Sequence, residues 1–343
     1  MNSSIQHNKC RIAVDAMGGD FAPLNNILGA NNALKLNSSI EISLIGKEKD
    51  IIDSSKKGNI DLQKFSLINA EEVIEMSDIP TEAIKSKKKS SIIIGLNLIK
   101  DNKIDALISA GNTGAMFTAS TLILGRISGV GRPTIGAPIP TKTGGICTLI
   151  DSGTSVDCRP NHLVEYAILG TIFVREMYGI NNPAVGLLNV GEEDTKGNEL
   201  TIAANKLLKK SGLNFVGNVE GRDILAGTID IVICDGFVGN VILKFAESIA
   251  DWLKTKIKSY MDGSFTNKIR TLIAKGIFKN LFSPFDYQRQ GGVPLLGVNG
   301  ISIIGHGKSS PLAVQNMIFN ASEIYRKNLI NKFKEAIINY GNK

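Results

Sequence analysis

GVNGISIIGHGKSSPLAVQN, residues 297–316, is the stretch from which the fold is read. Ile301, Ser302, Ile303 and Ile304 predict a short buried strand, residues 305–309 a tight polar turn, and Pro311 the first residue of a helix running to Lys334. Ser310 is the expected N-cap: its hydroxyl oxygen accepts from a free backbone N–H, while Pro311 gives up an N–H that the first helical turn does not use. Such a junction leaves unpaired N–H groups and partial positive charge at the mouth of the turn, where an anion is favoured. The nucleotide phosphate loop GxxxxGK[ST] is matched by Gly307, Lys308 and Ser309, but its first glycine would fall on Ser302, so a P-loop is excluded. Taken alone, the turn fits a capped helix start as well as a phosphate cradle.

Outward from this junction, short β-like runs alternate with helical patterns along the whole chain. Strands are expected near 11–15, 40–45, 105–109, 146–150, 184–188, 214–217, 230–234 and 301–304, and helices over 23–36, 91–100, 113–125, 161–178, 199–210, 239–258 and 311–334. That alternation predicts an α/β fold, a mainly parallel sheet with helices on both faces. No repeat, low-complexity tract or Pro/Gly/Ser-rich linker divides the chain, so residues 1–343 are read as a single α/β domain, with a helical, apolar and basic projection at 255–290.

Glycine and small polar residues gather in the turns after four of these strands: DAMGGD (15–20), SAGNTG (109–114), CDGFVGN (234–240) and GHGKSS (305–310). In an open parallel sheet these turns emerge at the carboxyl ends of the strands, the edge where ligands bind. Glycines such as Gly18, Gly19, Gly114 and Gly236 allow close backbone approach, and Ser109, Asn112 and Thr113 offer donors to phosphate oxygens or a developing oxyanion. The connections 151–162 and 187–199 can line the same edge with Asp151, Asp157, Asn189 or Lys196. No GxGxxG follows a strand with an acid about twenty residues on, which speaks against a nicotinamide enzyme, and no GxSxG or HExxH occurs. Paired carboxylates without His or Cys at ligand spacing indicate no metal. Of the three histidines, His7 sits in the N-terminal tail and His162 in a helical pattern; His306 lies in a turn where chemistry can occur.

The chain carries 39 basic and 32 acidic residues, a net charge of +7, so an acidic partner fits its field: a nucleic acid, an anionic membrane surface or an acidic protein. Lys85, Lys87, Lys88 and Lys89 read first as a solvated face. Residues 263–285 hold Lys268, Arg270, Lys275 and Lys279 without an acid, around apolar residues at helical spacing; they suit a core or dimer helix, or a helix resting on an anionic bilayer. There is no apolar run of the roughly 20 residues a membrane span needs and no secretory h-region, and Cys10, Cys147, Cys158 and Cys234 lack metal or disulfide spacing. A cytoplasmic protein is expected.

Read together, RIAVDAMGGD, ISAGNTGA, GVGRPTIGAPIPT, LLNVGEEDTKGNE, FVGNVEGRDI, VICDGFVGNVILK and GGVPLLGVNG followed by HG resemble the phosphate acyltransferases of bacterial phospholipid synthesis, the PlsX family, from Arg11 to about Ile318. The resemblance implies a three-layer α/β/α fold similar to phosphotransacetylases and isocitrate dehydrogenase-like enzymes. It also implies a homodimer that attaches peripherally to the membrane, needs no cofactor and binds no nucleic acid. The implied reaction moves a long acyl group from acyl carrier protein to inorganic phosphate, and the acyl phosphate feeds a downstream glycerol-3-phosphate acyltransferase. Thr154 and Ser155 depart from the family pattern, where Ala and Asn are expected, and Lys308 is given no family role.

No activated Ser or Cys is evident, so phosphate is expected to attack the thioester directly. Asn112, His306 and Asp15 form the expected catalytic set. Asn112, Thr113 and Gly114 would hold phosphate or the oxyanion, and His306 would position phosphate or donate to the departing sulfur. Gly18, Gly19, Ser109, Asn189, Lys196, Asp235, Gly236, Asn240 and Asn299 are the expected binding residues; Asp15, Asp235, Asn189 and Asn240 would order the turns or the pantetheine arm. An enzyme using short acyl-CoA, a basic nucleic-acid module and a non-catalytic membrane scaffold are the alternatives.

Overall fold

A computed structural model describes residues 9–341, and for Lys279 and Tyr287 the backbone alone. His7 and the Lys279 side chain therefore lie outside the described residues. The chain gathers into two compact units, one of Met1–Ile135, Thr171–Asn181 and Gln288–Lys343, the other of Gly136–Gly170 and Asn182–Tyr287. Its strands are β1 (Cys10–Asp15), β2 (Ile40–Gly46), β3 (Ser66–Asn69), β4 (Ala106–Ser109), β5 (Thr134–Pro140), β6 (Ile146–Ile150), β7 (Val185–Leu188), β8 (Phe215–Val219), β9 (Ile231–Ile233), β10 (Val293–Leu296) and β11 (Ile301–Ile304).

In the first unit the order is β3-β2-β1-β4-β11-β10. β1, β2, β3, β4 and β11 run parallel, with Val14 opposite Ile108 and Ile108 opposite Ile303; β10 is antiparallel to β11. β4 and β11, and β1 beside β4, are buried on both faces, as the middle of a sheet covered on both sides requires. Ala13, Ile45, Leu107 and Ile304 pack with Ile92, Leu96 and Met116 of the helices Ser91–Lys100 and Thr113–Ile123. Ile12, Leu44, Ile108 and Ile303, their alternates, are buried too. The helices Leu24–Leu36 and Pro311–Arg326 press together at Gly29, where a Cβ would come within 2.5 Å of Val314 Cβ and 2.6 Å of the Pro311 carbonyl oxygen.

In the second unit β6, β9, β7 and β8 run parallel in that order, with the end of β5 antiparallel beside β6. Ile139, Cys147, Leu149, Val219 and Val232 share one core. On the Pro160–Tyr178 helix Gly170 admits Ile150, whose Cγ1 would lie 3.0 Å from a Cβ there.

A mainly parallel α/β architecture is thus as expected, and three strands were not foreseen. β5 (TIGAPIP) and β10 (VPLL) contain prolines, which cannot donate to a ladder and remove the strand signal; they are also the antiparallel members. The short β3 is largely exposed and lacks alternation. The expected helix 311–334 is broken at Asn328, which takes a positive φ of 52° between Pro311–Arg326 and Leu329–Gly341. The helix expected at 239–258 spans Gly236–Asp262, and the projection continues as Phe265–Ile273 and Lys275–Phe282. In the lysine cluster, Lys87 pairs with Asp78 and Lys89 with Glu71.

Candidate active site

The first unit brings three of the glycine-rich turns together, because β1, β4 and β11 are parallel neighbours. The turns are joined directly: Gly305 N–H donates to the Ser109 carbonyl and Asp20 N–H to the Gly307 carbonyl, both at 2.8 Å. Beneath them Asp15, 3% exposed, accepts from the Ser109 hydroxyl at 2.6 Å and from Met17 N–H at 3.0 Å. Burial pushes the Asp15 carboxyl above its usual range, and donors on Ser109, Ser91, Met17 and Gly18 pull it back. Asp15 therefore orders the turns from below. Gly18 is required by space: a Cβ there would lie 2.5 Å from Asp15 Oδ2 and 2.7 Å from Gly111 N. Gly19 is required by backbone, with φ of 101°.

Two helices start at this edge. Ser310 caps the helix at Pro311 as expected, accepting from Ala313 N–H at 3.4 Å. His306 is exposed, and its Nδ1 accepts from Lys308 N–H at 3.1 Å, which leaves the ring proton of a neutral imidazole on Nε2. Asn112 caps the Thr113–Ile123 helix through Oδ1, which accepts from Ala115 N–H at 3.0 Å. Its amide was expected to hold an anion; instead Nδ2 donates to the carbonyls of Glu75, Met76 and Asp78 at 3.2, 3.3 and 3.0 Å. Asn112 thereby shapes the site. Thr113 is exposed at the helix start, and Gly114 admits Pro80, whose Cγ would lie 2.6 Å from a Cβ. Asn299 lies before β11, at the opposite end of that strand from His306, and donates to the Gly125 and Arg126 carbonyls.

The other expected residues belong to the second unit. Asp235 caps the Gly236–Asp262 helix by accepting from Val238 N–H at 2.9 Å. Gly236 N–H donates to the Ser155 carbonyl at 2.8 Å, and Asn240 lies against Gly153. Asn189 donates to the Lys196 carbonyl and so closes its own loop, on which Lys196 is exposed. Thr154 donates through its hydroxyl to Asp151 Oδ1 at 2.6 Å, and Tyr166 donates to Ser155 Oγ at 3.1 Å. Burial holds the Asp151 carboxyl above its usual range, against donors from Thr154, Gly153 and Ser155.

Asn26 went unnoticed in the sequence. Buried in the Leu24–Leu36 helix, it donates to the carbonyls of Asp15, Ala16 and Gly18 and ties the first turn to the helix that follows it. Its partners are backbone oxygens, which leave no mark in a sequence pattern.

A family model described as "Fatty acid synthesis protein" matches residues 10–332. Phosphate acyltransferases of Pelotomaculum thermopropionicum and Endomicrobium trichonymphae are similar to the chain at 43% and 45% identity, covering 95% and 97% of it and 95% and 99% of themselves. The chain belongs to the phosphate acyltransferase family. As a member it is an acyltransferase, and the expected PlsX resemblance holds over nearly its whole length. A phosphotransacetylase from Streptococcus pyogenes (TM-score 0.64, 16% identity, covering 93% of this chain and 94% of its own) and the EutD phosphotransacetylase from Staphylococcus aureus (0.59, 16%, 92% and 94%) share the fold.

Among the described residues no group of three or more His, Cys, Asp or Glu is placed to hold a metal ion, and no helix is long and apolar enough to cross a membrane.

Proposed function

We propose that this acyltransferase moves a long-chain acyl group from acyl carrier protein to inorganic phosphate, and that phosphate attacks the thioester carbon directly. The observation that carries the reading is the junction of the three turns after β1, β4 and β11, with two helix N-termini and His306 at one edge of the first unit. Helix N-termini and bare glycine backbone suit a phosphate. In the reaction a phosphate oxygen forms the new bond to the carbonyl carbon, the C–S bond breaks, and the carrier thiolate leaves, stable enough to depart unprotonated and take its proton from solvent; His306, with its proton on Nε2, is placed to orient phosphate or to donate a hydrogen bond to the departing sulfur.

The chain's own thiols argue against a covalent detour. Burial pushes Cys10 and Cys147 up to about 12 and Cys158 up to about 11, and burial, with Asp151 nearby, holds Cys234 well above the ordinary thiol range. With a pKa of about 11, Cys158 is thiolate in roughly one molecule in 10⁴ at neutral pH. The product would be an acyl phosphate, the substrate of a glycerol-3-phosphate acyltransferase downstream.

Purified protein mixed with long-chain acyl carrier protein should release thiol and hydroxylamine-trappable acyl phosphate together, and only when phosphate is present. Activity on short acyl-CoA alone would move the reading to a phosphotransacetylase-like enzyme. Salt-sensitive nucleic-acid binding without turnover, or no turnover at all, would favour a binding module or a scaffold.

The helical projection supports two further parts of the reading, a homodimer and a peripheral hold on an anionic membrane. Phe245, Trp252 and Tyr260 of the Gly236–Asp262 helix, and Leu272, Ile273 and Ile277 after it, are exposed beside Lys256, Lys268, Arg270 and Lys275. An apolar face of that length is covered by a second copy, and its basic margin attracts acidic lipid. A dimer mass by light scattering, and co-sedimentation with phosphatidylglycerol vesicles that weakens in salt, are expected. A monomer that ignores such vesicles would remove this part.

A further inference from the structure

The Asn112 amide holds a turn, and the chemistry of that turn is unexpected. Glu75–Asp78 is held by the three Asn112 bonds, by Glu75 N–H donating to Asp78 Oδ2 at 2.8 Å, and by the Asp78–Lys87 ion pair. Pro80, just beyond, is seated on Gly114. So firmly anchored a turn, bordering an anion site, would be expected to present donors. It presents a thioether: Met76 is 50% exposed, and its Cε would lie 3.3 Å from a Cβ on Gly307, the residue after His306. Ile79 on the same segment and Phe21, next to the Asp20 that donates to Gly307, are also more than half exposed.

Single exposed apolar side chains are ordinary. Met76 differs from the other two in lying on Gly307 itself, beside the Asp20 carboxylate whose Oδ1 would be 3.2 Å from the same Cβ, so that a half-exposed apolar side chain borders the polar turns. A fatty acyl thioester needs such an apolar surface, because the carbonyl must sit beside phosphate while the hydrocarbon tail cannot. Methionine suits the task, being unbranched and polarizable and able to follow a flexible chain.

We propose that Met76 is a specificity-determining residue, the surface along which the acyl chain leaves the reaction turns, and that it favours fatty acyl groups over acetyl, which has no methylene to lay against it. Asn112 is a positioning residue for it. The inference rests on the function proposed above and adds the place of the acyl chain. Each methylene taken out of water strengthens binding about fourfold, so a side chain covering one or two of them shifts selectivity by roughly tenfold.

The test is kcat/KM for acetyl and long-chain acyl carrier proteins with the wild type, Met76→Gln, Met76→Leu and Asn112→Asp. Met76→Gln, similar in length but polar, is expected to lower the long-chain-to-acetyl ratio about tenfold, chiefly through KM. Met76→Leu keeps the ratio. Asn112→Asp cannot donate to the three carbonyls and shifts the ratio as Met76→Gln does. An unchanged ratio in Met76→Gln, or an equal fall of kcat for every chain length, overturns the inference with the proposed function intact. A wild type without phosphate-dependent turnover on any carrier thioester sinks the function reading, and this inference with it.

Discussion

Replacing His306 by alanine is expected to lower phosphate-dependent turnover by roughly 10²–10⁴-fold, the range typical of a lost general acid or positioning group, while the urea midpoint of unfolding stays within error. The ring is exposed, and its Nδ1 accepts from Lys308 N–H within the same turn, so no buried packing is lost when the ring goes. The chemistry gives up more, because Nε2 carries the ring proton at the edge where the turns after β1 and β4 also arrive. The loss should appear in kcat on long-chain acyl carrier protein. A variant with full kcat and a raised KM for phosphate would confine His306 to binding, and one with both constants unchanged would remove it from the site.

Gly18→Ala should damage activity and fold together. The added methyl would meet Asp15 Oδ2 at 2.5 Å, Gly111 N at 2.7 Å and Ser109 Oγ at 2.9 Å, all held by the buried Asp15–Ser109 bond. Overpacking of this kind costs about 1–3 kcal/mol, and a turn displaced by about an ångström costs on the order of 10²-fold in rate. Urea unfolding with an unchanged m-value and a lower midpoint would record the first effect, and kcat/KM the second. Gly276→Ala is the control: it lies in the Lys275–Phe282 helix with nothing within 4 Å of the new methyl, and it should be neutral or slightly stabilising. If Gly18→Ala behaves like Gly276→Ala, the tight convergence of the turns is wrong.

Most of the parallel sheet was legible in the sequence because buried parallel strands are uninterrupted apolar runs; β6 and β11 fall where the runs at 146–150 and 301–304 put them. β5 and β10 were hidden by prolines, whose place in a strand depends on neighbours that a linear pattern does not reveal. The site shows the same divide. Gly18, Gly19, Ser109, Thr113 and His306 come together as turn chemistry at strand ends predicts. The sequence pattern also picks out Asn112 but misassigns its amide, since the Glu75, Met76 and Asp78 carbonyls that receive it lie more than thirty residues earlier. Asn299, chosen for its place in a motif, occupies the other end of β11, because a motif that runs into a strand from its start says nothing of the edge where the strand ends.

The central claim, direct displacement by phosphate, is tested most directly by mixing the protein with an equivalent of long-chain acyl carrier protein without phosphate and recording the intact mass of both. Direct displacement leaves an unmodified enzyme, a fully acylated carrier and no free thiol until phosphate is added, after which thiol and acyl phosphate appear one for one. An enzyme heavier by one acyl group, or a burst of thiol before phosphate, would contradict it.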